Sequence, residues 1–245
     1  MKYLSTCLLV AFSMIFTGCF DVLENIGINK NGSGTYAIAL NMDKIISDPF
    51  MKQMVLEGMK EGGVNMDDLE NFEMDSTMYF KNDPQFAQFK DNKTIYESAK
   101  IHVVMSEKKG KLSADFSFDF DKVEDIDAFF KKVTDNKESK EMLGGLDQVF
   151  SGNLFAFKKK RLTRLPPVKE GTNLMENGKE DDMAMAKMIL ANANLKTTYT
   201  FPGKVKKSSI PNSVIEKNQV KVTTPLLDFL EGKAKLDGEI RFKNR

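Results

Sequence analysis

Leu112-Ser113-Ala114-Asp115-Phe116-Ser117-Phe118-Asp119-Phe120 alternates apolar and polar side chains without a break. Successive side chains of a strand point to opposite faces, so this segment predicts a β-strand with the leucine, alanine and phenylalanines turned to a core and the serines and aspartates to water. One dry face and one wet face are the mark of antiparallel sheet built from hairpins. Its partner is close by: Ile101, Val103 and Met105 alternate ahead of the turn Lys108-Lys109-Gly110. A second hairpin places Val22, Glu24, Ile26 and Ile28 on one face, then Asn31-Gly32, then Tyr36, Ile38, Leu40 and Met42 in alternation. Asn-Gly tolerates the positive φ that a tight hairpin requires.

Short helices are expected between these strands. Asp48-Pro49 reads as an N-cap with proline at the first helical position, and Met51, Met54, Val55 and Met59 then share one face up to Gly62-Gly63. Phe72 to Phe80 reads as a strand, Asp83-Pro84 starts a short helix through Phe89, and Asp121 with Glu124 forms a capping-box pattern before Val123, Ile126, Phe130 and Val133. Further on, Leu154 to Arg161 reads as one strand with a basic end. Leu165 to Asp181 holds two prolines and two glycines among polar groups, a loop that serves as a lid or is disordered. Met183 to Ala193 reads as a helix, Thr197 to Val205 and Val220 to Thr223 as strands, Thr224-Pro225 as the start of a last helix, and Ile240 with Phe242 as a final strand. Strands in hairpins with interspersed helices predict an α+β fold, a largely antiparallel sheet with several short helices packed on it. Residues 19–245 form one domain in this reading, or two lobes meeting near 134–152.

The chain opens with Lys2, an apolar run from Leu4 to Phe16, and Thr17-Gly18-Cys19. At ~1.5 Å per residue the apolar run covers about 20 Å, short of the ~30 Å hydrocarbon core. It predicts a cleaved leader over residues 1–18 rather than a membrane span. Phe16-Thr17-Gly18-Cys19 resembles the bacterial lipobox, with Phe16 where an aliphatic residue is usual. That resemblance implies cleavage between Gly18 and Cys19, a diacylglyceryl group on the Cys19 thiol and an N-acyl group on its new amine. Two or more chains at ~0.8 kcal/mol per buried methylene make attachment stable. With Cys7 in the leader and Cys19 acylated, no thiol is left over. Phe20, rather than Asp, follows the cysteine; by the sorting rule of enteric bacteria this implies the outer membrane, facing the periplasm.

Beyond the leader, Asn31-Gly32-Ser33-Gly34 in the first hairpin and the late Tyr199-Thr200-Phe201-Pro202-Gly203-Lys204-Val205 resemble the LppM-like group of bacterial lipoproteins. Gly34-Thr35-Tyr36, Asn41-Met42 and Asp75-Ser76-Thr77-Met78-Tyr79-Phe80 are similar to uncharacterised lipoproteins of diderm bacteria. The first resemblance implies a membrane-apposed binding module for lipid; neither brings catalytic residues.

Composition narrows the function classes further. The 245 residues carry 36 basic and 35 acidic side chains, and loss of Lys2 leaves these balanced, so no global field steers the protein to nucleic acid. His102 is the single histidine, which excludes a two-histidine metal site within one chain, and no Gly-x-Ser-x-Gly elbow accompanies it. Asp115, Asp119, Asp121, Glu124, Asp125 and Asp127 form the densest acidic cluster, without the glycine that a calcium loop needs. No catalytic, metal or cofactor signature results. Lys158, Lys159, Lys160, Arg161 and Arg164 are expected to contact anionic headgroups or a partner. Met51, Met54, Phe116 and Phe118 are expected to contact an apolar ligand. The leading expectation is a non-enzymatic lipid-anchored envelope module that binds an apolar or amphipathic ligand. The alternatives are a lipoprotein that holds another envelope protein and, behind it, an envelope hydrolase.

Overall fold

A computed structural model describes residues 20–49, 52, 53, 73–106, 108–135, 154–166, 187 and 190–243. In chain order its elements are β1 (Asp21–Ile28), β2 (Gly34–Asn41), α1 (Asp43–Ser47), β3 (Glu73–Tyr79), α2 (Lys93–Ser98), β4 (Lys100–Ser106), β5 (Lys111–Phe120), α3 (Glu124–Asp135), β6 (Phe155–Lys158), β7 (Arg161–Arg164), β8 (Asn194–Thr200), β9 (Val205–Ser208), β10 (Val214–Glu216), β11 (Gln219–Pro225), α4 (Leu226–Leu230) and β12 (Gly238–Phe242). The fold is α+β. An eight-stranded sheet runs β10-β11-β8-β1-β2-β5-β4-β3, and a four-stranded sheet runs β6-β7-β12-β9.

Both hairpins read from the sequence are present, β1 with β2 and β4 with β5, and β2 joins β5 in antiparallel register. The turn between β1 and β2 holds Gly32 at φ 92°, with the Phe157 ring about a methyl's width away. One pairing is parallel: β8 lies beside β1, Asp21 opposite Asn194 and Gly27 opposite Thr200. The main sheet therefore takes strands from both sides of residues 134–152.

Three segments differ from the sequence reading. Leu154 to Arg161 is not one strand: Lys158 and Arg161 pair across a two-residue turn, Lys159-Lys160, and the chain doubles back as β7. Thr197 to Val205 is interrupted at Phe201-Pro202-Gly203-Lys204, where the chain leaves the main sheet for the small one. At α3 the capping carboxylate is Asp125, which accepts from the Asp121 and Lys122 N–H groups. The short helix read from Asp83-Pro84 is present as a 3-10 helix, Pro84–Phe89, and α2 follows behind Asn92, whose side chain accepts from Ile95 N–H.

The core lies between the two sheets and under α3. Ile26, Tyr36 and Phe118 stand side by side across β1, β2 and β5, each 2% exposed or less. Phe129 of α3 packs 4.7 Å from Phe118 and 5.2 Å from Phe116, and Phe130 meets Tyr36 edge-on at 5.4 Å. Phe155, Leu162, Ile240 and Phe242 close the core from the small sheet. Such ring pairs contribute ~0.5–1.5 kcal/mol each beyond the area they bury.

Candidate functional site

Among the described residues, the inner face of the main sheet is fully buried along the rows nearer Ile28 and half-buried toward Asp21, except at Leu112, which is buried there opposite Met105. Moving from the row Ile26-Tyr36-Phe118 toward Asp21, the row Val22-Leu40-Ala114-Val103 is only half-buried. Met105 and Met74 beside it are half-buried as well, and Met78, opposite Ile101, is 39% exposed. Alternation explains why these side chains share a face; the placement of α3 explains the gradient, because its phenylalanines cover the rows nearer Ile28. Val22, Leu40, Ala114, Val103, Met105 and Met74 thus form an apolar strip at the Asp21 end of the sheet. Phe20 packs against the core at this same end.

The expected ligand residues divide. Phe116 is half-buried beside this strip, 5.7 Å from the Phe80 ring. Phe118 does not belong to any surface: it is 2% exposed and stacks at 5.4 Å on Tyr36, so its role is core packing. Gly18, Cys19, Met51, Met54 and residues 167–181 of the loop lie outside the described residues.

The expected basic patch divides too. Lys158, Lys159, Lys160 and Arg161 are exposed around the turn between β6 and β7. Among the described residues they line, with Lys206, Arg241 and Phe242, a groove of about 610 Å³. Arg164 is three residues further along β7, and the sheet alternation turns it inward. Its guanidinium donates to Glu24 Oε2 at 2.6 Å and to the Tyr199 hydroxyl at 2.8 Å, and lies 5.4 Å over the Phe155 ring. Arg164 is therefore a buried partner of Glu24, not a surface contact.

Glu24, 2% exposed, also accepts from Thr197 Oγ1 at 2.8 Å and from the Tyr36 hydroxyl at 3.1 Å. Burial works against the Arg164 charge, but Glu24 and Tyr199 outweigh it and hold the guanidinium pKa above its ordinary value. Burial pushes Tyr199 up to about 12, and burial with the Glu24 charge raises Tyr36 well above its ordinary range. Both phenols stay protonated and act as donors or neutral acceptors. Glu24 among valine and isoleucines on one strand face was the visible sign of this cluster; the sequence held no sign of its partner 140 residues away.

His102 sits on the other, wetter face of the main sheet, its Nε2 2.8 Å from Asp75 Oδ1 across the β3–β4 pairing. The acidic cluster is spread over several tasks: Asp125 caps α3, Asp121 accepts from Thr94 Oγ1, and Asp127 Oδ1 accepts from Leu154 N–H at 2.8 Å. Asp127 is raised to about 6, by burial first, against the lowering effect of the Leu154 and Phe155 N–H groups. Among the described residues no group of three or more histidine, cysteine or acidic side chains is arranged to hold a metal ion, and no helix is long and apolar enough to cross a membrane.

No protein-family model matches the chain, and no curated protein matches it. Among solved structures, it is similar to the folded domain of the LppM protein of Mycobacterium tuberculosis, determined by NMR. The two share 10% identity over 94% of this chain and 92% of that one, with a TM-score of 0.39, a likeness too loose to carry an argument about function.

Proposed function

We propose that the chain is a non-enzymatic, lipid-anchored module of the cell envelope that holds an apolar or amphipathic ligand, an acyl chain, against the membrane. The observation that carries this reading is the half-buried strip Val22, Leu40, Ala114, Val103, Met105 and Met74 at the end of the sheet where β1 begins. Cys19 is two positions before Asp21, and two extended residues reach less than ~8 Å. An acylated Cys19 would hold that end of the sheet at the headgroup level, so an acyl chain leaving the bilayer meets apolar side chains first. Half-buried aliphatic and methionine side chains suit such a ligand because they adapt to its shape without leaving polar groups unpaired.

The test has two parts. Membrane fractionation and intact mass of the purified protein should show a lipidated chain lacking residues 1–18, and Cys19→Ser should accumulate as an unprocessed precursor. Native mass spectrometry of the mature protein should then release one lipid per chain, lost on Val103→Asp. A lipidated protein that carries no ligand, but crosslinks to one envelope protein in intact cells, would replace ligand binding with partner holding.

A further inference from the structure

The basic groove lies at the opposite end of the molecule from the proposed anchor. Three contacts fix this. Arg164 meets Glu24 partway along β1, the Phe157 ring meets Gly32 in the turn beyond Ile28, and Phe242 stacks at 4.7 Å on Phe201, just past the Thr200 that pairs with Gly27. The eight residues of β1 put about 23 Å between Asp21 and Ile28. Lysines at that distance are out of reach of the leaflet that would hold Cys19, since the Debye length is ~8 Å at physiological ionic strength.

The groove is built by the sheet rather than scattered over it. Lys158 pairs with Arg161, Arg161 with Arg241, and Arg241 with Lys207, so four cations stand in one row across β6, β7, β12 and β9. Strands are ~4.8 Å apart, and like charges directly opposite one another destabilise a sheet. Of this row Lys158, Arg161 and Arg241 line the groove, and Lys206, beside the register shift at Arg241/Phe242, lines it in addition. Among the described residues Glu239 alone relieves this crowding: its carboxylate takes Arg161 Nε at 3.0 Å and also Arg241 Nε. Among the described residues, Lys158, Lys159, Lys160 and Lys206 have no carboxylate partner. In the turn itself Lys159 holds φ 57°, a conformation suited to glycine or asparagine.

We infer that this groove binds a ligand carrying clustered phosphate groups, presented from the side facing away from the anchoring membrane. The two arginines are committed to Glu239, so the charges left for a ligand are lysine ammoniums. These are compact, strongly hydrated point charges, suited to a phosphate of nearly two negative charges rather than to a planar carboxylate that wants a guanidinium fork. About 610 Å³ admits a small diphosphate or triphosphate compound, or the headgroup of a phosphorylated lipid in a facing membrane, with the buried Phe242 beneath it.

The test uses the full mature chain in nanodiscs of zwitterionic lipid. Inorganic tripolyphosphate is titrated calorimetrically at low and at physiological salt, and flotation with separate vesicles containing an anionic phospholipid is measured in parallel. Tripolyphosphate should bind one per chain, and the exposed pair Lys158→Ala/Lys160→Ala should weaken it about 30-fold, since each lysine near a phosphate surface contributes roughly a factor of five. Lys108→Ala/Lys109→Ala, in the β4–β5 turn of the main sheet, should leave it unchanged. Tripolyphosphate binding without flotation identifies a soluble phosphorylated ligand; flotation that the Lys158/Lys160 variant loses identifies headgroups of a facing membrane. Binding of neither probe, equal loss in the Lys108/Lys109 variant, or equally tight binding of poly-glutamate would overturn the inference, the last in favour of an acidic protein partner.

Discussion

Replacing Arg164 by methionine tests the buried cluster most directly. The variant removes the guanidinium that lies 2.6 Å from Glu24 Oε2 and 2.8 Å from the Tyr199 hydroxyl, while methionine keeps the length of the stem and a contact to the Phe155 ring. It leaves a carboxylate that is 2% exposed with two hydroxyl donors, Tyr36 and Thr197, and no cation. Removing one partner of a buried ion pair costs ~3–5 kcal/mol, because the other charge stays desolvated. Domains of this kind have about 5–15 kcal/mol to lose, so the variant remains folded at 25 °C and its loss can be read from urea unfolding at pH 7. Glu24→Met should cost about as much. The double variant should recover to within ~2 kcal/mol of wild type, since no unpaired charge remains, and the coupling between the two sites should exceed ~3 kcal/mol. Adding Tyr36→Phe, Tyr199→Phe and Thr197→Val removes the orphaned hydroxyls and should recover more. Single variants that each cost less than ~1 kcal/mol, or a double variant equal to the sum of the singles, would refute the reasoning.

Gly34→Ala should prevent or severely impair folding, because its Cβ would lie inside van der Waals contact of the Gly27 carbonyl oxygen and 2.7 Å from Phe120 Cζ; soluble yield and circular dichroism check this. Lys159→Gly should raise stability by ~0.5–1 kcal/mol by relieving the positive φ, read as an upward shift in urea midpoint. Asp127 has a folded pKa of about 6, above the ordinary value of 3.8, so the folded chain holds this proton more tightly than the unfolded one. Its contribution to stability is fully present below about pH 4 and is lost as pH rises through 6. Wild type should therefore lose melting temperature across that window relative to Asp127→Asn, whose profile there should be flatter; parallel profiles would remove Asp127 from the account.

The sequence by itself determined the pieces whose signals are local. Alternation from Leu112 to Phe120 fixed a strand and its two faces, and Asn31-Gly32 marked the first hairpin turn, because side-chain direction and backbone φ are decided within a few residues. The same locality misled at Lys159-Lys160: without glycine or asparagine nothing announces a turn, so Leu154 to Arg161 read as one strand and Arg164 read as surface. Thr197 to Val205 misled likewise, since both halves are good strand sequence and only the sheet each joins is different.

Tertiary structure decided the rest through contacts between residues far apart in the chain. The parallel pairing of β8 with β1 brings Thr197 and Tyr199 to Glu24, and the small sheet brings Arg164 to the same point. Four cations from separate strands become one row by cross-strand register, which composition shows only as charges that cancel overall. The direction of β1 puts that row at one end and Asp21 at the other. Nothing in a one-dimensional pattern encodes such distances, because they are set by which strands pair and in what register, and that choice rests on the packing of the whole core.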